Sequence, residues 1–262
     1  MIKAMRTAAT GMMAQQMNVD NIANNLANVN TTGFKKSKVE FQDVLYQNIK
    51  RAGTATAVGS IIPAELSVGY GTKAVATNRQ FTTGDLQMTG NPLDMAISGD
   101  GFFQIQHPDG STVYTRDGAL KITGDGSIVT SEGYRLLPEI TIPEDATSVA
   151  IGTDGSVQVL QVGSDIPTDV GQIELARFIN PSGLEAIGRN LLIQTGASGD
   201  PIVDVPTQSG LGGVDQGYLE MSNVKVVDEM VNMIVAQRAY EMNSKAITTS
   251  DDMAQIANNL KR

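Results

Sequence analysis

The chain has 262 residues, 41% of them apolar and 18% charged, the proportions of a folded protein and not of a disordered one. A formal net charge of −9 sets the surface against a phosphate backbone and excludes wholesale nucleic-acid binding. The absence of cysteine excludes disulfides and thiolate metal sites, and no run approaches the roughly 20 apolar residues of a membrane span, so membrane insertion is not expected.

The first predicted element is a helix from Lys3 to about Asn30, a stretch without proline. Met5, Met12, Val19 and Leu26 recur every seven residues, and Ala8, Ile22 and Val29 fill the position three later, with Gln15 as the polar exception. That heptad-like stripe belongs to a helix that packs along one seam. Gly11 within it costs about 1 kcal/mol relative to Ala, and asparagines at 18, 21, 24, 25 and 28 are mediocre helix formers, so packing must supply the stability. Gly33 is expected to end the helix, with Phe34 packing beneath it. The opening residues lack the uninterrupted apolar core of a secretory signal, so an exported chain needs a route that does not read one.

The basic run Lys35-Lys36-Ser37-Lys38 reads as a solvated face. Tyr46 to Thr77, with its Gly, Thr, Ala and Ser, reads as an irregular or extended arm. The middle of the chain holds nearly all the glycine and all nine prolines. Its punctuation is Asp-Gly, at Asp100-Gly101, Asp109-Gly110, Asp117-Gly118, Asp125-Gly126 and Asp154-Gly155, between short alternating runs such as Phe103-Gln104-Ile105-Gln106. Asp-Gly accepts the positive φ of tight hairpins, which predicts a β-meander or barrel, followed by a second strand-rich stretch from Ser148 to Ile193.

The last element is a helix from about Asn223 to Leu260, free of proline and glycine, with Ser222 or Asn223 as its expected cap. Val227, Met230, Val231 and Ile234 form one apolar face; Val226, Met233, Tyr240 and Ile247 form a second at heptad spacing. A helix apolar on two sides needs partners on two sides. Thr248-Thr249-Ser250 is a place where it is expected to bend. The two ends also echo each other: Ile22-Ala23-Asn24-Asn25-Leu26 recurs as Ile256-Ala257-Asn258-Asn259-Leu260. These pentapeptides set asparagines beside the seam, where amides fix register.

Catalytic chemistry has little to work with. The single histidine, His107, falls in a turn, and a triad or zinc site needs more nitrogen ligands. No Asp-Gly pair continues into a calcium loop, Gly69-Tyr70-Gly71 lacks the third glycine of a dinucleotide loop, and no P-loop is present. The chain therefore reads as non-enzymatic, with no cofactor and no metal. A β-rich adhesin-like binding module is the alternative of another class, and it would not need the heptad ends.

The segment Ile22-Ala23-Asn24-Asn25-Leu26-Ala27-Asn28-Val29-Asn30-Thr31-Thr32-Gly33-Phe34-Lys35 resembles the N-terminal signature of the bacterial flagellar axial proteins, the rod and hook subunits. Asn223-Val224, Val231-Asn232-Met233-Ile234 and Gln237-Arg238-Ala239-Tyr240-Glu241 resemble the matching tail. Phe41-Gln42-Asp43-Val44-Leu45-Tyr46 and Ile97-Ser98-Gly99-Asp100-Gly101-Phe102-Phe103 also fit. Length and the Tyr46 to Thr77 arm are most similar to the distal rod members; proximal rod and hook subunits are the alternatives within the family. The resemblance implies export through the flagellar type III apparatus without a cleaved signal. It also implies helical self-assembly into a hollow tube that meets proximal rod and hook-side axial proteins and turns within the peptidoglycan and outer-membrane ring proteins.

The expected fold is α+β. A discontinuous, coiled-coil-like helical domain takes residues 1–32 and 218–262, a connecting segment and arm take 33–80, and a β-rich outer domain takes 81–217. The expected assembly interface is Met5, Met12, Val19, Ile22, Asn24, Asn25, Leu26, Asn28, Gly33, Phe34, Val227, Met230, Val231, Ile234, Tyr240, Ile247, Ile256 and Leu260.

Overall fold

A computed structural model describes residues 2–53, 55–57, 60–61, 63–163 and 166–259. Two long helices bracket a β-rich middle: α1 spans Ile2–Ala27 and α2 spans Val226–Asn259. The fold is α+β, with every strand pair of assigned register antiparallel. The chain divides into two compact units, one of Met1–Leu26, Ser37–Asn78 and Lys225–Arg262, the other of Ala27–Lys36 and Arg79–Val224.

In the first unit α1 stops at Ala27, six residues before Gly33, so Gly33 does not cap it. The strand Ser37–Asp43 pairs with Thr72–Arg79, and the described residues between them form two-stranded ribbons, the extended alternative for the arm. Tyr46–Lys50 pairs with Leu66–Gly69, placing Tyr46 opposite Gly69 and Asn48 opposite Ser67. Farther out, Ala55–Ala57 pairs with Ser60–Ile61. Leu45, Tyr46, Ile49 and Leu66 are exposed on this ribbon.

α2 holds 34 residues, about 51 Å at 1.5 Å per residue. Asp228 and Glu229 lie in its first turn, where carboxylates oppose the positive end of the helix dipole. Neither Ser222 nor Asn223 caps it: the helix begins at Val226, and Glu229 N–H donates to Lys225 O at 3.0 Å. The helix also continues through the Thr-Thr-Ser sequence. Thr248 and Thr249 donate to Lys245 O at 2.9 and 2.8 Å, and Ser250 donates to Ala246 O at 2.7 Å. These hydroxyls turn back on the helix's own carbonyls, so the chain keeps its helical path there.

The second unit centres on the strand Phe102–Gln106, buried on both faces. Its alternation splits it between two clusters. Phe103 and Ile105 join Val113, Leu120, Leu136, Val157 and Leu175 in the larger core. Phe102 joins Tyr114, Phe178, Leu184 and Leu192 on the other side, with edge-on ring contacts at 4.8 to 6.0 Å. A period of two is what sends neighbours to opposite faces. This strand sits inside a nine-stranded sheet that runs from Leu120–Ile122 at one end to Glu185–Gly188 at the other and does not close. A three-stranded sheet, Ala146–Ile151, Ser156–Gln161 and Thr168–Gln172, adds the second strand-rich stretch.

Three of the five Asp-Gly pairs are hairpin turns: Gly110, Gly126 and Gly155 have φ of +84°, +81° and +79° between paired strands. Asp100-Gly101 and Asp117-Gly118 join strands that do not pair. At Gly118 the requirement is space, because a Cβ there would lie 1.6 Å from Met95 O.

Candidate assembly interface

The two helices lie side by side in the first unit. A Cβ on Gly11 would fall 2.9 Å from the Asn243 carboxamide, and Asn25 Nδ2 lies 3.5 Å from Glu229 Oε2. Asn25 is 14 residues after Gly11, and Glu229 is 14 residues before Asn243, so the helices run antiparallel in one fixed register. Glycine at 11 admits this close approach, which accounts for a residue that helix propensity alone disfavours.

The covered side of α2 is itself a heptad stripe. Glu229, Ala236, Asn243 and Ser250 occupy one position, all buried or half-buried; Met233 and Ile247 are half-buried at the other. Small and polar residues make up the first row, so a search for apolar heptads passes over it. On α1 the covered residues are Ala8, Ala14, Ile22 and Asn25, while Met5, Met12, Val19 and Leu26 are half-buried. Of the stripe read from the sequence, Ala8 and Ile22 lie in the covered seam and Met5, Met12, Val19 and Leu26 flank it.

Asn25 also holds the chain that follows. Its Nδ2 donates to Ser37 O at 2.8 Å, and Ser37 N–H donates to its Oδ1 at 3.0 Å. Asn21 Nδ2 donates to the same carbonyl at 2.8 Å. Two carboxamides four apart on one helix face therefore clamp the backbone of one residue of an extended strand, satisfying its donor and its acceptor.

The other side of α2 is uncovered. Val227, Met230, Val231, Ile234, Val235, Met242 and Ile256 are exposed along it, Val227 by 72%. Tyr240 is exposed and lines a groove with Gln16, Val19, Gln237 and Glu241. Met13 and Met17 are exposed on α1 at a four-residue spacing. The sequence reading missed Val235, Met242, Met13 and Met17 because they lie off the heptads; their apolar character at helical spacing was the available signal.

Several expected interface residues are spent inside the chain. Ile22 and Asn25 are buried, so neither is open to a neighbour, and Gly33 is buried in the second unit. Asn24 is exposed, Asn28 and Phe34 are half-buried, and Leu260 lies outside the described residues.

Gly33 does different work from a helix cap. With φ +66° it donates its N–H to Glu220 O at 2.8 Å, and a Cβ would fall 2.7 Å from the Arg116 backbone. That turn delivers Lys35 to a buried ionic cluster. Lys35 Nζ pairs with Glu220 Oε1 and donates to Thr82 O at 2.7 Å. Arg116 Nη1 lies 3.3 Å from Glu220 Oε2, its Nη2 donates to Gly99 O at 2.8 Å, and its guanidinium lies 5.3 Å from the Phe102 ring centre. Burial pushes the Lys35 ammonium below its ordinary pKa, and Glu220 opposes that shift. Burial likewise lowers Arg116, again opposed by Glu220. The first lysine of the basic run is therefore interior and not solvated. Asn223 ties neighbouring chain together: it accepts from Lys36 N–H at 2.8 Å and donates to Gln80 O at 2.8 Å.

His107 Nδ1 lies 2.9 Å from Asp109 Oδ1 in a surface turn. Among the described residues, no group of three or more His, Asp or Glu is placed to hold a metal, and no helix is long and apolar enough to cross a membrane.

The chain matches three family models in succession. These are the flagella basal body rod protein model over residues 5–35, the flagellar hook protein FlgE/F/G D1 domain over 96–159, and the flagellar basal body rod FlgEFG protein C-terminal model over 215–260. It is 54% identical to the flagellar basal-body rod protein FlgG of Borreliella burgdorferi, across 100% of both chains. It is 49% identical to FlgG of Caulobacter vibrioides, over 99% of this chain and 100% of that one. To the flagellar hook-basal body complex protein FlhP of Bacillus subtilis it is 28% identical, over 100% of both.

Proposed function

The chain belongs to the flagellar basal-body rod protein family, and on that premise we propose how it works as a structural subunit of the distal rod. Subunits associate side by side through the uncovered face of α2, in repeats that do not close into a ring and so extend as a helical tube. The observation that carries this reading is the row Val227, Met230, Val231, Ile234 and Ile256, open to solvent on a helix whose opposite side is already covered. An apolar row of that length is a surface awaiting a partner. In a rod every subunit presents it and every subunit needs it covered.

Tyr240 and the exposed Met13 and Met17 extend the surface around the helix pair. Half-buried Met5, Met12, Val19, Leu26 and Ile247 flank the intrachain seam and set its spacing. The ribbon of Tyr46–Lys50 and Leu66–Gly69 lies against adjacent subunits and stiffens the tube. The role is mechanical: the rod passes motor torque toward the hook, and its lumen conducts exported subunits. Its partners are further copies, the proximal rod and hook-side axial proteins, the peptidoglycan and outer-membrane ring proteins, and the type III export apparatus.

The test is Val231→Asp combined with Ile234→Asp in the full chain. Both side chains are exposed, so the dilute variant keeps its helix content by circular dichroism. It should form no tubes by electron microscopy under conditions where the parent does. Tubes of unchanged yield would remove this face from the interface.

A further inference from the structure

The shared pentapeptide extends by one position when its surroundings are aligned. Asn21-Ile22-Ala23-Asn24-Asn25 corresponds to Gln255-Ile256-Ala257-Asn258-Asn259, so each helix carries two carboxamides four apart around an isoleucine. In α1 the set is engaged: Asn21 and Asn25 grip the N–H and C=O of Ser37, and Ile22 is 4% exposed. In α2 the same set is open. Gln255 through Asn259 are all exposed, with Ile256 at 60%, and among the described residues Gln255 Nε2 donates locally, to Asp251 Oδ2 at 3.1 Å.

We propose that Gln255, Ile256 and Asn259 form a second main-chain clamp, which grips an extended segment of a second copy of this chain. The first clamp defines the ligand chemistry. Its bonds go to the N–H and C=O of one residue, with the Ser37 hydroxyl also donating to Asn21 Oδ1, so it recognises an extended backbone and accepts a small hydroxyl side chain. The occupant is another copy because the open clamp continues the apolar row that ends at Ile256, and whatever covers that row lies within reach of it. Each copy also brings exposed two-stranded ribbons with unpaired outer edges among the described residues. The proposal rests on the reading of the chain as a self-assembling subunit. It adds that part of the contact is helix on strand and not only helix on helix.

The full chain supplies a clean probe, because it contains no cysteine. Asn258→Cys carrying a benzophenone is assembled, irradiated and mapped by mass spectrometry. Cross-links should join it to strand residues of a different copy. Separately, Gln255→Ala with Asn259→Ala should raise the concentration needed for assembly about tenfold by removing two amide partners, with dilute helix content unchanged. Gln255→Asn with Asn259→Gln, which keeps both carboxamides, should recover part of that loss. Cross-links confined to helices, or to the same chain, overturn the clamp, as does an unchanged assembly concentration. Those outcomes leave assembly intact and remove only the clamp. A parent chain that forms no polymer removes the self-assembly reading and the clamp with it.

Discussion

Lys35 and Glu220 stand 185 residues apart in the chain and meet as an ion pair closed to solvent. Arg116 shares the same carboxylate, so two cations depend on one anion. Removing the anion should therefore cost more than removing one cation. Glu220→Gln leaves both charges buried and should destabilise the β-rich unit by about 3–5 kcal/mol. Lys35→Met leaves the Arg116 pair intact and should cost less, about 1–3 kcal/mol. Urea unfolding of both variants gives the order; a larger loss in Lys35→Met contradicts it.

Gly33→Ala should destabilise the β-rich unit. It forces an L side chain to φ +66° and places a Cβ 2.7 Å from the Arg116 backbone, which cannot swing aside as a side chain would. About 2–4 kcal/mol is expected from strain and overlap together. Gly53→Ala, also at positive φ but with open space around it, should cost only the smaller conformational penalty. Thermal unfolding compares the two.

Asn25→Asp separates the two halves of the first clamp. The carboxylate still accepts from Ser37 N–H but cannot donate to Ser37 O, and it faces Glu229 Oε2 at 3.5 Å. A loss of about 1–3 kcal/mol is expected at neutral pH, recovering as acid neutralises the carboxylates. A pH-independent loss would mean that the Glu229 charge plays no part.

Acid should weaken the β-rich unit through its turns. Ser111 donates to Asp109 and Ser156 to Asp154, each through both N–H and hydroxyl, and Ser209 donates to Asp204. These bonds favour the ionised form and hold all three carboxyls below the ordinary value of 3.8. The folded state then binds fewer protons than the unfolded one as pH falls past that value. Their contribution is complete above it and lost progressively below it. Denaturation midpoints from pH 6 to pH 2 should fall. Asp109→Asn with Asp154→Asn should flatten the slope.

The helices, the β-rich middle and the resemblance to axial proteins were legible because they repeat: heptads at Met5, Met12, Val19 and Leu26, and alternation at Phe103 and Ile105. The covered stripe of α2 was not, because Glu229, Asn243 and Ser250 are polar, and Glu229 and Asn243 gain their places from Asn25 and Gly11 on a helix distant in sequence. Lys35 illustrates the same limit: a lysine in a basic run reads as solvated until Glu220 is brought to it. Local rules place Gly33 and Asn223 at helix ends, yet both bond to segments remote in sequence, a tertiary demand that local sequence does not express. The echo was visible as sequence, but its opposite burial at Ile22 and Ile256 required the fold.

Amide hydrogen exchange across Val226–Asn259, dilute and then assembled, tests the central claim most directly. Assembly should slow exchange along α2, with the largest gain from Val227 to Val235 and again around Ile256, while Phe102–Gln106 stays equally protected in both states. Equal protection of α2 in the two states, with new protection confined to the β-rich unit, would contradict the assignment of the open helix face as the surface that builds the rod.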